Sequence, residues 1–387
     1  MSAGVMVERS TRRHDEWRDF GASAAESDEL VVYEGDSCDH DVQLGGLAIT
    51  DQPFVATWAG YVQEAESIGA ARCLRSHLPQ LRFPIRAGMS SAASYRAATR
   101  RGESDRAPNE GGDCEFASPE GIRVFLHPTA AGRVPVILAD NRRDFETLVR
   151  ALTYHNEPVA IPASMGACIV GGYNNWDRVA ELRASWAATS ADGSTEAWWR
   201  AFRAKAPSRE RYQDRFILLS SGPYSGVPAD SVGIVPEAWH PLSVVIRLEH
   251  ECTHFITRCL LGSMRNCLLD ELIADYAGIV AACGNFRYDW FLHFMGLECF
   301  PRCRPNGRVW NYRGTPPLSD GALGVLQRTV VEAARRLEEF DHAHGEAWRS
   351  VTGRAQLAIA LARTGLARLA RAEGVDVLTA MLSDVSR

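Results

Sequence analysis

The stretch VVIRLEHECTHFITRCLLGSMRNCLLDELIADYAGIVAACG, Val244 to Gly284, decides how this chain is read. It contains His250-Glu251-Cys252-Thr253-His254. Histidines at i and i+4 of a helix project from one side, a turn apart, and can supply two of the three protein ligands of a catalytic zinc. At about 100° per residue, His254, Thr257 and Leu261 share the side of His250. Val245, Leu248, Cys252, Phe255, Ile256 and Cys259 gather opposite them as an apolar stripe. The histidine pair therefore falls outside the stripe expected to face a core. So short a motif also arises by chance, and the next helix carries the decision.

In that helix Glu271 and Asp275 are again i,i+4 partners, opposed by Leu269, Ile273, Ala277 and Val280. Asn266 is the predicted N-cap and Gly284 the predicted terminator. A short connection around residues 262–265 lets the two helices pack. Glu271 can then complete a His₂Glu set with an open fourth position, and Asp270 is the next candidate if it does not. Asp275 can accept the free N–H of a ligand histidine and fix its tautomer. Glu251 can take a proton from a zinc-activated water.

H-E-x-x-H followed by D-E-x-x-A-D at Asp270–Asp275 resembles the gluzincin branch of zinc metallopeptidases, the thermolysin-like zincins. DELIADYAG is similar to the E-x-x-A-D pattern of the neprilysin and prenyl-protease families. The resemblance covers only the quoted stretch. It implies Zn²⁺ held by His250, His254 and Glu271, with Glu251 as general base and Asp275 as the carboxylate behind a ligand histidine. The metzincin continuation H-x-x-G-x-x-H is absent after His254.

Other candidates are weaker. Tyr276 falls on the apolar stripe and is read as core. His293, in WFLHFMG, is also read as a core residue. Tyr312 and Arg313, in RVWNYRGT, are read as solvated loop residues, so no oxyanion-stabilising group is assigned. Ser164 in IPASMGA has Pro162 where a nucleophile elbow needs glycine. GGYNN at 171–175 lacks the G-x-G-x-x-G arrangement of a dinucleotide site.

Composition narrows the rest. The 387 residues are 46% hydrophobic and 23% charged, which is ordinary for folded domains. A net charge of -6 gives no general basis for nucleic-acid binding. Lys205 is the single lysine among 42 basic residues, a coding bias rather than a phosphate-binding pattern. No apolar run approaches the ~18 residues of a membrane span. The first twenty residues lack an apolar core, which predicts no secretory signal and a cytoplasmic location. Ten cysteines without a C-x-x-C pair are expected to be reduced thiols.

The expected fold class is α+β, in four segments. Residues 1–115 are irregular in pattern, with apolar runs at 30–33, 44–49 and 54–62 and an exposed loop over 98–114. Residues 116–210 read as mixed α/β, with strands at 122–127 and 134–140 and a helix over 144–155. An extended piece at 158–163, a Gly/Asn-rich loop at 166–177 and helices over 176–186 and 195–202 complete it. Residues 211–300 form the zincin-like core, with strands at 216–220 and 232–235 and helices over 241–261, 267–283 and 287–299. Residues 301–387 carry a loop and helices at 320–340, 353–372 and 375–384. The strand at 216–220 is read as a sheet edge open to an extended substrate.

The expected function is zinc-dependent hydrolysis of an amide or peptide bond in a peptide or amide-containing small molecule, without nucleic-acid or membrane partners. Two other readings stand beside it: a non-hydrolytic zinc Lewis acid in a biosynthetic cyclisation, elimination or acyl transfer, and a metal-stabilised binding or scaffold protein. The composition does not indicate an oligomeric state.

Overall fold

A computed structural model describes residues 13–35, 50–103, 112–205, 208–261 and 267–385. Its helices are α1 (Ala24–Glu34), α2 (Val55–Ile68), α3 (Ala70–His77), α4 (Ala93–Arg101), α5 (Arg142–Thr153), α6 (Trp176–Ala187) and α7 (Thr195–Lys205). They continue as α8 (Pro236–Leu261), α9 (Leu268–Cys283), α10 (Tyr288–Met295), α11 (Asp320–His344), α12 (Val351–Thr364), α13 (Leu366–Leu369) and α14 (Gly374–Val385). The strands are β1 (Ile122–Thr129), β2 (Gly132–Ala139), β3 (Ala167–Asn174) and β4 (Gln213–Ser220). The fold class is α+β. Among the described residues no helix is long and apolar enough to cross a membrane.

The chain divides into two compact units, Thr50–Gly222 and Met1–Ile49 with Pro223–Arg387. The four segments read from composition are thus regrouped. β4 belongs with the strands before it, because it pairs with β2 and β3. The C-terminal helices share a unit with α8 and α9. The apolar run at 44–49 and most of the loop at 98–114 lie outside the described residues.

In Thr50–Gly222 the sheet order is β1-β2-β4-β3. β1 and β2 form an antiparallel hairpin, β2 and β4 run parallel, and β3 lies antiparallel to β4. GRVPVILA and QDRFILLS are the near-continuous apolar runs that central strands need. β4 is therefore an inner strand, and the open edge expected at 216–220 does not exist: β2 and β3 occupy both of its sides. The edges are β1 and β3, and β3 lies inside the expected Gly/Asn-rich loop. Its register shifts between Gly171 and Tyr173, where Gly172 has φ +71°. Such a bulge needs glycine, and that glycine hides the alternation by which strands are recognised. The extended pieces expected at 158–163 and 232–235 are not strands. Buried Asp214 on β4 ties the unit together, accepting from Trp58 Nε1 (2.8 Å), Asn175 Nδ2 (2.6 Å) and Arg178 Nη1 (2.6 Å).

In the other unit α9 is the central rod. Every residue from Leu268 to Val280 is buried, because α8, α10, α11 and α12 all pack on it. The one-sided stripe predicted for α9 is therefore corrected. The stripe on α8 is corrected as well: Val245 is 37% exposed, whereas Cys252 to Thr257 are all buried. Gly278 sets the spacing of the two helices, since a Cβ there would fall 2.5 Å from Ile246 O of α8. Any larger residue would push the helices apart. α9 starts from Cys267, which makes no side-chain cap bond, and the predicted cap Asn266 lies outside the described residues. Gly284 closes it in the left-handed conformation at φ +82°. Tyr276 is core, as its position on the helix predicted, and its hydroxyl donates to buried Asp341 at 2.6 Å. His293 is half-buried.

Candidate metal centre

α8 and α9 bring the predicted ligands together. His250, His254 and Glu271 each offer a ligand atom within 4.8 Å of the others, and all three residues are buried. His250 Nε2 and His254 Nε2 are 3.0 Å apart. Glu271 places Oε2 3.6 Å from the first and Oε1 3.5 Å from the second. Tetrahedral zinc with bonds of ~2.0–2.1 Å sets its ligand atoms about 3.3–3.5 Å apart. The two carboxylate distances are close to that spacing, and the 3.0 Å between the imidazole nitrogens would have to widen slightly to admit such a cation.

The opposite ring nitrogens face carboxylates. His250 Nδ1 lies 2.7 Å from Asp275 Oδ1. His254 Nδ1 lies 3.0 Å from Asp270 Oδ2, in an ion pair too bent for a regular hydrogen bond. Each carboxylate favours a proton on Nδ1, which in neutral rings would leave both Nε2 atoms as ligands toward one position beside Glu271. Asp275 takes the position predicted for it. The partnership of Asp270 with His254 was not foreseen, although the Asp270-Glu271 pair on a helix facing two histidines is a usable sign of it.

Two further residues complete the cluster, and sequence gave no sign of either. Arg308, whose side chain is 10% exposed, sets Nη2 2.5 Å from Glu271 Oε2 and 3.2 Å from Asp275 Oδ2. Its Nη1 donates to Ser225 Oγ at 2.9 Å and to Tyr224 Oη at 3.3 Å. Tyr224 donates to Asp275 Oδ1 at 2.5 Å and sits 2.9 Å from His250 Nδ1. Both residues come from turns without periodicity. Tyr312 is buried rather than solvated, and burial together with the nearby Glu271 charge raises its hydroxyl above the ordinary range. Arg313 points elsewhere, to Asp320 and Leu318 O. Glu251 is half-buried and makes no hydrogen bond or ion pair among the described residues.

Charge explains why these groups stay ionised. Burial would raise the Glu271 carboxyl, but Arg308 and the two imidazoles hold it far below the usual range. Burial is likewise overridden at Asp275 by Arg308 and His250. At His254, burial opposes protonation, yet Asp270 and Glu271 keep the imidazolium well above the ordinary histidine range. With both imidazoles neutral, three carboxylates (Asp270, Glu271, Asp275) against one guanidinium leave two negative charges, which one divalent cation balances.

Metal uptake should therefore displace protons. Below the ordinary histidine value of ~6.5 the His254 ion pairs contribute their full stability to the metal-free protein. That contribution fades as pH rises through the raised folded-state value. Affinity for a divalent ion held by these residues would run the opposite way, increasing with pH as the ring is freed. Calorimetric titration in buffers of different ionisation enthalpy should register net proton release near neutral pH, lost in His254→Ala.

The fold and cluster define an α+β protein with a buried His₂Glu set backed by carboxylates. The chain belongs to a family of unknown function, DUF7005, which matches residues 16–373. No curated protein and no solved structure matches the chain.

Proposed function

We propose that this protein is a cytoplasmic zinc-dependent hydrolase of amide or peptide bonds, with a site of the gluzincin type. The observation that carries this reading is the convergence of His250 Nε2, His254 Nε2 and a Glu271 oxygen at separations of 3.0–3.6 Å. His250, His254 and Glu271 would hold the ion. Zinc, when bound, supplies a Lewis acid that polarises a carbonyl and activates water.

The chain's own residues do the remaining work. Glu251 has no hydrogen-bond or ion-pair partner among the described residues, so its carboxylate is available to take a proton from water and return it to the leaving amine. Asp270 and Asp275 hold the imidazoles in the ligating tautomer. Arg308 engages Glu271 Oε2, and Oε1 faces His254 Nε2 at 3.5 Å, on the side where an ion would sit. Tyr224 hydrogen-bonds Asp275 and so fixes the orientation of His250 through it.

Elemental analysis tests the centre. Zinc-loaded wild type should hold one equivalent more than His254→Ala or His250→Ala. Equal zinc in wild type and both variants would overturn the reading.

A further inference from the structure

The unit Thr50–Gly222 carries a second convergence of ligand atoms, which the hydrolase reading does not use. Cys73 and His77 are i,i+4 partners on α3, and Glu64 reaches them from α2. Gly69, at φ +87°, is the joint that folds one helix onto the next. The three donors lie within 4.8 Å of one another. His77 Nδ1 is 2.7 Å from Asp177 Oδ2, and its Nε2 is 2.7 Å from Glu64 Oε2. Tyr61 donates to the same Asp177 oxygen at 2.7 Å and stacks on the imidazole, with ring centres 4.1 Å apart. Asp177 thus secures the Nδ1 proton and aims Nε2 at Glu64 and Cys73. That is how a carboxylate orients an imidazole for ligation.

We propose that Glu64, Cys73 and His77 form a second site for a divalent ion of the zinc class, stapling α2 to α3. Sulfur, imidazole nitrogen and a carboxylate oxygen together suit zinc, and hard cations such as calcium or magnesium poorly. Charge balance permits the exchange. Without metal, His77 faces a carboxylate at each ring nitrogen and carries two protons, and Cys73 is a thiol bonded to Tyr61 O. With Glu64 and Asp177 the cluster then has one net negative charge. Uptake of a divalent ion displaces the Nε2 proton and the thiol proton, and the net charge is unchanged.

The geometry permits the swap. Cys73 Sγ gives up its bond to Tyr61 O. Glu64, 39% exposed at its side chain, has room to open the 2.7 Å contact to the ~3.3–3.5 Å of tetrahedral coordination. The same exposure provides the entry path.

Cobalt(II) titration of the full chain tests this, because thiolate ligation gives a near-ultraviolet charge-transfer band. The His₂Glu centre contains no sulfur and is silent there. The band should vanish in Cys73→Ser and persist in His254→Ala, where the other centre no longer competes and it should saturate at one equivalent, which separates this site from the hydrolase reading. Glu64→Gln, a change at a half-exposed side chain that spares the fold, should weaken cobalt binding at least tenfold. Absence of the band in wild type, its survival in Cys73→Ser, or unchanged affinity in Glu64→Gln would overturn the proposal and leave His77 as an imidazolium clamp between two carboxylates.

Discussion

Glu251→Gln should lower turnover by about 10²–10⁴-fold, the usual loss on removing a general base, while fold and zinc content hold. Glutamine keeps the shape of the side chain but cannot accept the proton. Glu251 makes no hydrogen bond or ion pair among the described residues, so the change breaks no structural contact there. The measurement is hydrolysis of a substrate found by screening peptide and amide mixtures, at matched zinc occupancy, with solvent ¹⁸O followed into the wild-type product. Label in the product and a dead variant support hydrolysis. An active Glu251→Gln without label in the wild-type product would overturn the hydrolytic mechanism. It would favour a Lewis-acid cyclisation, elimination or acyl transfer at the same zinc.

Arg308→Met should cost the metal-free protein about 3–5 kcal/mol, the range for breaking a buried ion pair by removing one partner. The guanidinium touches Glu271, Asp275, Tyr224 and Ser225 from a side chain 10% exposed. Methionine fills part of the volume and answers none of the charge, so two buried carboxylates lose their cation. Zinc bound at the proposed site would restore positive charge beside Glu271 and stabilise only the folded state. The loss should therefore shrink when denaturant midpoints are compared with zinc instead of chelator. A loss below ~1 kcal/mol, or an equal loss in both conditions, would show that Arg308 does not balance this site.

Much of the centre was legible because it is local. His250 with His254, and Glu271 with Asp275, are each one helical turn apart, and a 3.6-residue period places such pairs together whatever surrounds them. The same short-range logic gave the strands of the β1–β2 hairpin, α5 to α7 of the sheet unit and the helices of the C-terminal region, whereas α2 to α4 lie in the stretch read as irregular. β3 escaped it, since its bulge depends on Gly172 and its pairing on β4, more than thirty positions away. The inner place of β4 likewise depends on partners that its own apolar run cannot name. Burial of α9 on all sides, the approach of Ile246 O to Gly278, and the seating of Arg308 and Tyr224 against Asp275 were decided by packing. Periodicity reports which side chains share a face. Which distant turn delivers a cation to that face is set by the energy of burying charge together, and only the tertiary structure expresses it.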